Sequence, residues 1–249
     1  MTDTWVTEDT RVFVTGAASG IGLAQAQLFL QHGARVFGVD VQPFPTALMN
    51  APLFCGYKGD VSQDTDCTAA VSACEEQFGG IDILLNTAGK LDSYQTILET
   101  DTTQWLDIIN TNLSSMFYLT KAILPGMLAA EKGTIINMAS IAGMVAGGGG
   151  IAYTATKHAI VGFTKQLALD HAGQGISVKA IAPGAIKTPM NQADFDSDGA
   201  MARWVAEETP VKRWALPEEV AALTLFLASP QASYLQGAIV PIDGGWTLK

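Results

Sequence analysis

Basic residues are scarce in this chain of 249 residues: 14 lysines and arginines face 24 aspartates and glutamates, a formal net charge of -10. With a pI near 4.6, binding to nucleic acid or to an anionic membrane surface would have to overcome repulsion, and both partner classes are set aside. Cysteine is rare too. Cys55, Cys67 and Cys74 are odd in number and lack metal-ligand spacing, as expected for reduced thiols in a cytoplasm. His32, His158 and His171 are scattered over predicted helices, so no metal site is expected. Charge is missing altogether from residues 133–156 and 220–242. The first stretch carries Asn137, Ser140 and six glycines, and the second Pro230 and Pro241, so both read as core strands and helices, not membrane spans. The amino terminus, MTDTWVTEDT, lacks a basic and an apolar region, and no signal peptide is expected.

What is present is apolar and patterned. Hydrophobic residues make up 48% and charged residues 15%, enough for one large core, and no segment has the composition of a linker. A single domain over residues 1–249 is therefore expected. Arg11 to Thr15 is a β-branched and aromatic run that ends in GAASGIG before a helical pattern. Gly16, Gly20 and Gly22 form a G-x-x-x-G-x-G turn, whose missing side chains let backbone and helix amino terminus approach a pyrophosphate. A second strand, Arg35 to Val39, ends in Asp40, eighteen residues after Gly22. That is close to the distance at which an acid grips the adenosine ribose hydroxyls. A carboxylate there repels a 2′-phosphate, and Ala18, Val41 and Gln42 offer no cation, so the reading is NAD and not NADP.

Further strands are expected at Leu53–Tyr57 and Ile81–Leu85, with a helix over about 63–78 between them; this alternation implies a parallel sheet with right-handed crossovers. Asp60, Val61, Asn86 and Gly89 fall at strand carboxyl ends, where such sheets bind ligands, and the small Ala88 and Gly89 leave room for a cofactor. One long helix is predicted over Thr102–Leu128, with Asn112 a polar interruption that needs a partner. Next comes TIINMASIAGMVAGGGGIAYTATK, a strand, a glycine-rich loop and the start of a helix. Tyr153 and Lys157, four apart, share a helix face, and a nearby ammonium would lower a phenol pKa that is otherwise about 10. Ser140 ends the preceding strand, placed to hydrogen-bond a substrate oxygen. A sixth strand, Ile176–Ile181, leads to Pro183 and Gly184. Residues 190–208 read as a substrate lid carrying Phe195 and Trp204, Pro217 opens a last helix, and Ala238–Pro241 is the last strand.

Taken together, Thr15 to Gly22, Asp60-Val61, Asn86-Thr-Ala-Gly89, Asn112, Ser140, Tyr153-Thr-Ala-Thr-Lys157, Pro183-Gly184 and the closing Asp-Gly-Gly resemble the short-chain dehydrogenase/reductase family over residues 11–246. Thr87 stands where many relatives carry a second asparagine, and the four glycines at 147–150 are unusual. The resemblance implies a single-domain Rossmann fold with a doubly wound, seven-stranded parallel sheet flanked by helices, in a homotetramer. It further implies a catalytic set of Asn112, Ser140, Tyr153 and Lys157. Tyr153 would exchange the proton, Lys157 would lower its pKa and bind the nicotinamide ribose, Ser140 would hold the carbonyl, and Asn112 would anchor a water. Gly16, Ser19, Gly20 and Ile21 would meet the pyrophosphate, Asp40 the ribose, Asp60 and Val61 the adenine, and Asn86, Ala88 and Gly89 the middle of NAD(H). Pro183, Gly184, Ile186 and Thr188 would lie toward the carboxamide.

Many relatives of this length are 3-oxoacyl-[acyl-carrier-protein] reductases, whose acidic partner needs a basic docking face. The runs Ala129-Ala-Glu-Lys132 and Leu169-Asp-His-Ala-Gly-Gln174 lack the arginines of such a face. An NAD(H)-dependent interconversion of a secondary alcohol and a small ketone is therefore favoured, with Met144, Val145, Met190, Trp204 and Trp246 as candidates for an apolar pocket. The carrier-protein reductase is the alternative. A catalytically silent NAD-binding regulator on the same fold is the alternative of another class, and the complete tetrad argues against it.

Overall fold

The computed structural model describes residues 6–196 and 198–249; residues 1–5, half of the amino-terminal segment considered above, lie outside them. Elements run β1 (Arg11–Thr15), α1 (Gly20–Gln31), β2 (Arg35–Asp40), α2 (Thr46–Met49), β3 (Phe54–Lys58), α3 (Asp64–Phe78), β4 (Ile83–Asn86), α4 (Thr102–Ile109), α5 (Ser115–Ala129), β5 (Gly133–Met138), α6 (Ile151–His171), β6 (Ile176–Pro183), α7 (Gln192–Phe195), α8 (Ala200–Glu208), α9 (Pro217–Ala228) and β7 (Ile239–Ile242). All seven strands are parallel, in the order β3-β2-β1-β4-β5-β6-β7. The order reverses between β1 and β4, which opens a crevice at their carboxyl ends.

Strand alternation sorts the core into two layers. Val12, Val14, Val36, Ile83, Leu85 and Ile136 face α1 and α9, packing on Phe29, Val220 and Leu227. Phe13, Phe37, Leu84, Ile135 and Val178 face the other way, onto Cys67, Val71, Leu119, Ile123 and Met127 of α3 and α5. Phe13 and Phe37 are almost fully buried and stack with ring centroids 5.5 Å apart. Burial alone stabilises by about 1.5–3 kcal/mol per ring. No helix among the described residues is long and apolar enough to cross a membrane.

The segment predicted as one helix over 102–128 is interrupted. Asn110–Ser114 forms a π-helical turn between α4 and α5, which inserts an extra residue and swings the backbone locally. Apolar periodicity does not register an insertion of that kind. The Asp101 carboxylate starts α4 by accepting the Gln104 amide at 2.8 Å, the expected N-cap geometry.

Candidate active site

The crevice holds a cavity of about 1050 Å³, and its floor follows from the first turn. Gly22 lies so close to that turn that a Cβ there would stand 2.2 Å from the Gly16 carbonyl oxygen, so only glycine permits the tight entry into α1. Thr15 fastens this turn to the next strand end. Its hydroxyl accepts the amides of Thr87 at 2.9 Å and Ala88 at 3.0 Å and donates to the Leu85 carbonyl at 3.3 Å. Asp40 closes the far side, where its two carboxylate oxygens accept the amides of Ala18 and Gln42, each at 2.9 Å. The Asp60 carboxylate accepts the Ser62 amide at 2.9 Å.

Ser140, Tyr153 and Lys157 meet at the other end. Ser140 caps a short 3-10 turn, accepting the Ala142 amide at 3.1 Å. Tyr153 and Lys157 project from the first two turns of α6, with the Lys157 Nζ 5.4 Å from the phenol ring centroid. That Nζ donates to the Met138 carbonyl at 2.8 Å. Burial pushes the Tyr153 phenol up to about 12, the Ser140 hydroxyl pulls it back, and Tyr94 and Asp92 add to the rise. Burial likewise brings the Lys157 amine down to about 7. The expected lowering of the phenol pKa by Lys157 is thus not found. Desolvation outweighs the attraction, and at neutral pH the amine is only partly charged.

Asn112 sits in the π turn, fully buried. Its Oδ1 accepts the Lys90 amide at 2.7 Å, and its Nδ2 donates to the Lys90 carbonyl at 2.9 Å. A Cβ on Gly89 would lie 3.3 Å from Asn112 Oδ1 and 3.8 Å from Lys157 Nζ, so the asparagine stands behind the wall that Lys157 faces.

Of the predicted residues, Gly16, Ser19, Gly20, Ile21, Asp40, Asp60, Val61, Ala88, Gly89, Ser140, Tyr153, Lys157, Pro183, Gly184, Ile186 and Thr188 all line the cavity. Asn86 does not. It is buried in the sheet, where its Nδ2 donates to Asn137 Oδ1 at 2.9 Å and its own Oδ1 has no partner. Asn112 stays behind the wall as described. In the predicted apolar pocket, Met190, Trp204 and Trp246 line the cavity, whereas Met144 and Val145 lie outside its wall, partly exposed.

Several residues escaped sequence reasoning. Thr111 lines the cavity with a buried hydroxyl that has no partner. Tyr94, Asp194, Met201 and Trp214 also line the cavity. Asp92 is buried and accepts the amides of Gly150 at 2.6 Å and Tyr153 at 2.9 Å, which makes it the cap of α6. This accounts for part of the glycine run: a Cβ on Gly150 would stand 2.7 Å from Asp92 Oδ2. The signal existed only as two halves, an acid three residues after Gly89 and a glycine before a helix.

Residues 16–247 match a family model described as enoyl-(acyl carrier protein) reductase. The short-chain dehydrogenase/reductase cdmF of Talaromyces verruculosus is 36% identical over 251 residues, covering 96% of this chain and 98% of the relative. The chain belongs to the short-chain dehydrogenase/reductase family. Within this family it is also 36% identical, over 240 residues, to the 3-oxoacyl-[acyl-carrier-protein] reductase FabG of Vibrio cholerae, covering 93% of this chain and 95% of FabG. The crystal structure of levodione reductase superimposes with a TM-score of 0.91 at 32% identity, covering 97% of this chain and 99% of that one. ElxO with NADP bound gives 0.90 at 30% identity, covering 96% and 99%. A short-chain dehydrogenase/reductase is an oxidoreductase that works with a nicotinamide cofactor, and the cavity suits one. A glycine turn at the amino terminus of α1 leaves backbone amides without side chains in front of them, as a phosphate needs, and Asp40 is fixed by two backbone amides on the same cavity wall.

Proposed function

We propose that the protein is an NAD(H)-dependent oxidoreductase that interconverts a secondary alcohol and a ketone, with Tyr153 as general acid and base. The observation that carries the reading is the convergence of Ser140, Tyr153 and Lys157 on the wall of the cavity that Asp40 closes at its other end. Gly16, Ser19, Gly20 and Ile21 cradle the pyrophosphate, Asp40 takes the adenosine ribose, Asp60 and Val61 the adenine, and Ala88 and Gly89 the middle of the cofactor. Pro183, Gly184, Ile186 and Thr188 border the nicotinamide, which when bound gives hydride to, or takes it from, the carbon of the carbonyl or alcohol. Ser140 donates to the substrate oxygen. Tyr153, kept protonated by burial, gives its proton to that oxygen in reduction and recovers it in oxidation. Lys157 holds the ribose, and Asn112, braced on the Lys90 backbone, supports the path by which the phenol is reprotonated.

The preference for NAD rests on charge. Among the described residues, the cations lining the cavity are Lys90 and Lys157, both at the catalytic end, so none of them stands beside Asp40 to offset a 2′-phosphate. Residues 190–208 form the substrate lid over the single domain, since α7 and α8 supply Asp194, Met201 and Trp204 to the wall. Cytoplasmic residence and a homotetramer complete the proposal. Leu106 and Phe117 on α4 and α5, and Phe226, Tyr234 and Leu248 near the carboxyl end, are exposed apolar side chains that subunit contacts would cover.

The likeness to FabG favours a second reading, reduction of a 3-oxoacyl thioester on a carrier protein. Absorbance at the reduced-nicotinamide band separates the two, using purified protein with NADH or NADPH and a panel of diketones, aryl ketones and an acetoacetyl thioester. Oxidation of NADH by small ketones is expected. Turnover confined to NADPH and the thioester establishes the second reading.

A further inference from the structure

The end of the cavity beyond Tyr153 combines three features that nothing in the alcohol and ketone chemistry requires. Asp194 lines the wall from α7, half-buried, and forms no hydrogen bond or ion pair with any described residue. The same cavity is lined by aromatic or soft side chains, Tyr94, Met190, Met201, Trp204 and Trp246, and Tyr94 feels the Asp194 charge. Trp204 and Trp246 meet edge to face with centroids 6.5 Å apart, and Trp204 remains 52% exposed, so its ring is free to receive a ligand. The Lys249 ammonium already rests 4.7 Å from the Trp246 centroid, which shows that this ring accepts a cation.

The neighbouring charges leave Asp194 uncompensated. Lys90 is paired with Asp107 at 2.7 Å, Arg203 with Asp198 at 3.3 Å, and Lys249 with Glu208 at 2.8 Å. Lys187 lies over the Phe195 ring, 5.2 Å from its centroid, and is not part of the cavity wall. The field is negative where it reaches Tyr94: desolvation first, then Asp194 and Asp92, hold that phenol above its ordinary value. A part-buried carboxylate that shares one cavity wall with aromatic rings and thioethers, and has no ion-pair partner among the described residues, complements an organic ammonium ion, which gains from the charge and from the ring quadrupoles together.

We propose that this end of the cavity is a cation subsite, so that the substrate is a secondary alcohol or its ketone bearing a tertiary or quaternary ammonium group seated against Trp204 and within the field of Asp194. This rests on the alcohol and ketone reading above and adds the class of substrate to it. Net charge works in the same direction: at -10, the protein draws cations toward its clefts and repels anionic acids and acyl carriers.

The test uses isosteres that differ only in charge: 5-(trimethylammonio)pentan-2-one against 6,6-dimethylheptan-2-one, and 3-(trimethylammonio)acetophenone against 3-tert-butylacetophenone. With NADH, the cationic member of each pair is expected to show a kcat/KM about tenfold above its neutral isostere. Asp194→Asn is expected to bring that ratio close to one, Asp194→Glu to restore it, and Trp204→Leu to lower it. Calorimetric titration of the same ketones into the protein with NAD⁺ reads binding without turnover. Equal or better use of the neutral isosteres, or a ratio that Asp194→Asn leaves unmoved, overturns the cation subsite while the alcohol and ketone reading stands. Selective binding of the cationic ketones with no turnover of any ketone upholds the subsite and overturns the reading. Neither binding nor turnover overturns both.

Discussion

The Tyr153 amide donates to a carboxylate oxygen of Asp92 at 2.9 Å, across 61 residues of chain. The same carboxylate takes the Gly150 amide at 2.6 Å, so one buried acid ties the loop after β4 to the first turn of the catalytic helix. Asp92→Ala leaves these amides without an acceptor, at a cost of about 1–3 kcal/mol, and frees the phenol to wander, which lowers kcat by roughly tenfold or more. Gly150→Ala acts in the same direction by displacing the carboxylate. Thermal melts and steady-state kinetics check both variants. Because Asp92 also raises the Tyr153 pKa, spectrophotometric titration of Asp92→Ala should find that phenol ionising below its position near 12.

Tyr153→Phe keeps the ring and removes the proton. Its kcat should fall by about 10²–10⁴-fold in both directions, while the dissociation constant of NADH, followed by fluorescence, changes little. Unchanged turnover would remove the tyrosine from the chemistry.

Asp40→Ala removes the like-charge barrier to a 2′-phosphate, a barrier of several kcal/mol in comparable settings. The ratio of kcat/KM for NADH over NADPH should drop by at least about tenfold. Both coenzymes should also bind somewhat less tightly, because the amides of Ala18 and Gln42 lose their acceptor. A constant ratio would place the ribose elsewhere.

Lys179 is buried in β6 without a carboxylate partner among the described residues, and its Nζ donates to the Leu227 carbonyl at 3.0 Å and to the Ser177 hydroxyl. Burial lowers its pKa to about 8, below its unfolded value of about 10.4. Between these two values the unfolded chain binds the extra proton, so this group's contribution to stability rises with pH across that window and levels off below about 8. Lys179→Met lacks the term. The melting temperature of the wild type should therefore gain on that of the variant between pH 8 and pH 10.

Legibility in the sequence followed the range of the forces involved. The parallel sheet and the glycine turn are readable because strand, turn and helix signals are local and alternate along the chain. Tyr153 and Lys157 were readable because they lie one helical turn apart. The pairing of Asp92 with Gly150 and Tyr153 was not, since it joins segments with no shared spacing, and Asn86 turned inward to Asn137 through a contact 51 residues away. The phenol pKa departs from its sequence-based expectation for a related reason: a pairwise attraction can be read from spacing, whereas the desolvation that overrides it belongs to the whole fold.

The π turn at Asn110–Ser114 gives the helical segment a phase. Each residue advances an α-helix by about 100°, and Met116, Leu119, Ile123 and Met127 bury one stripe of α5 on the far side of the insertion. Deleting a single residue from the turn would restore an unbroken helix, but it would rotate that stripe out of the core or swing Asn112 away from Lys90. The asparagine behind the cavity wall and the packing of α5 thus share one phase. Substitutions can drift at either place, whereas a change of length in this turn has to be answered at both.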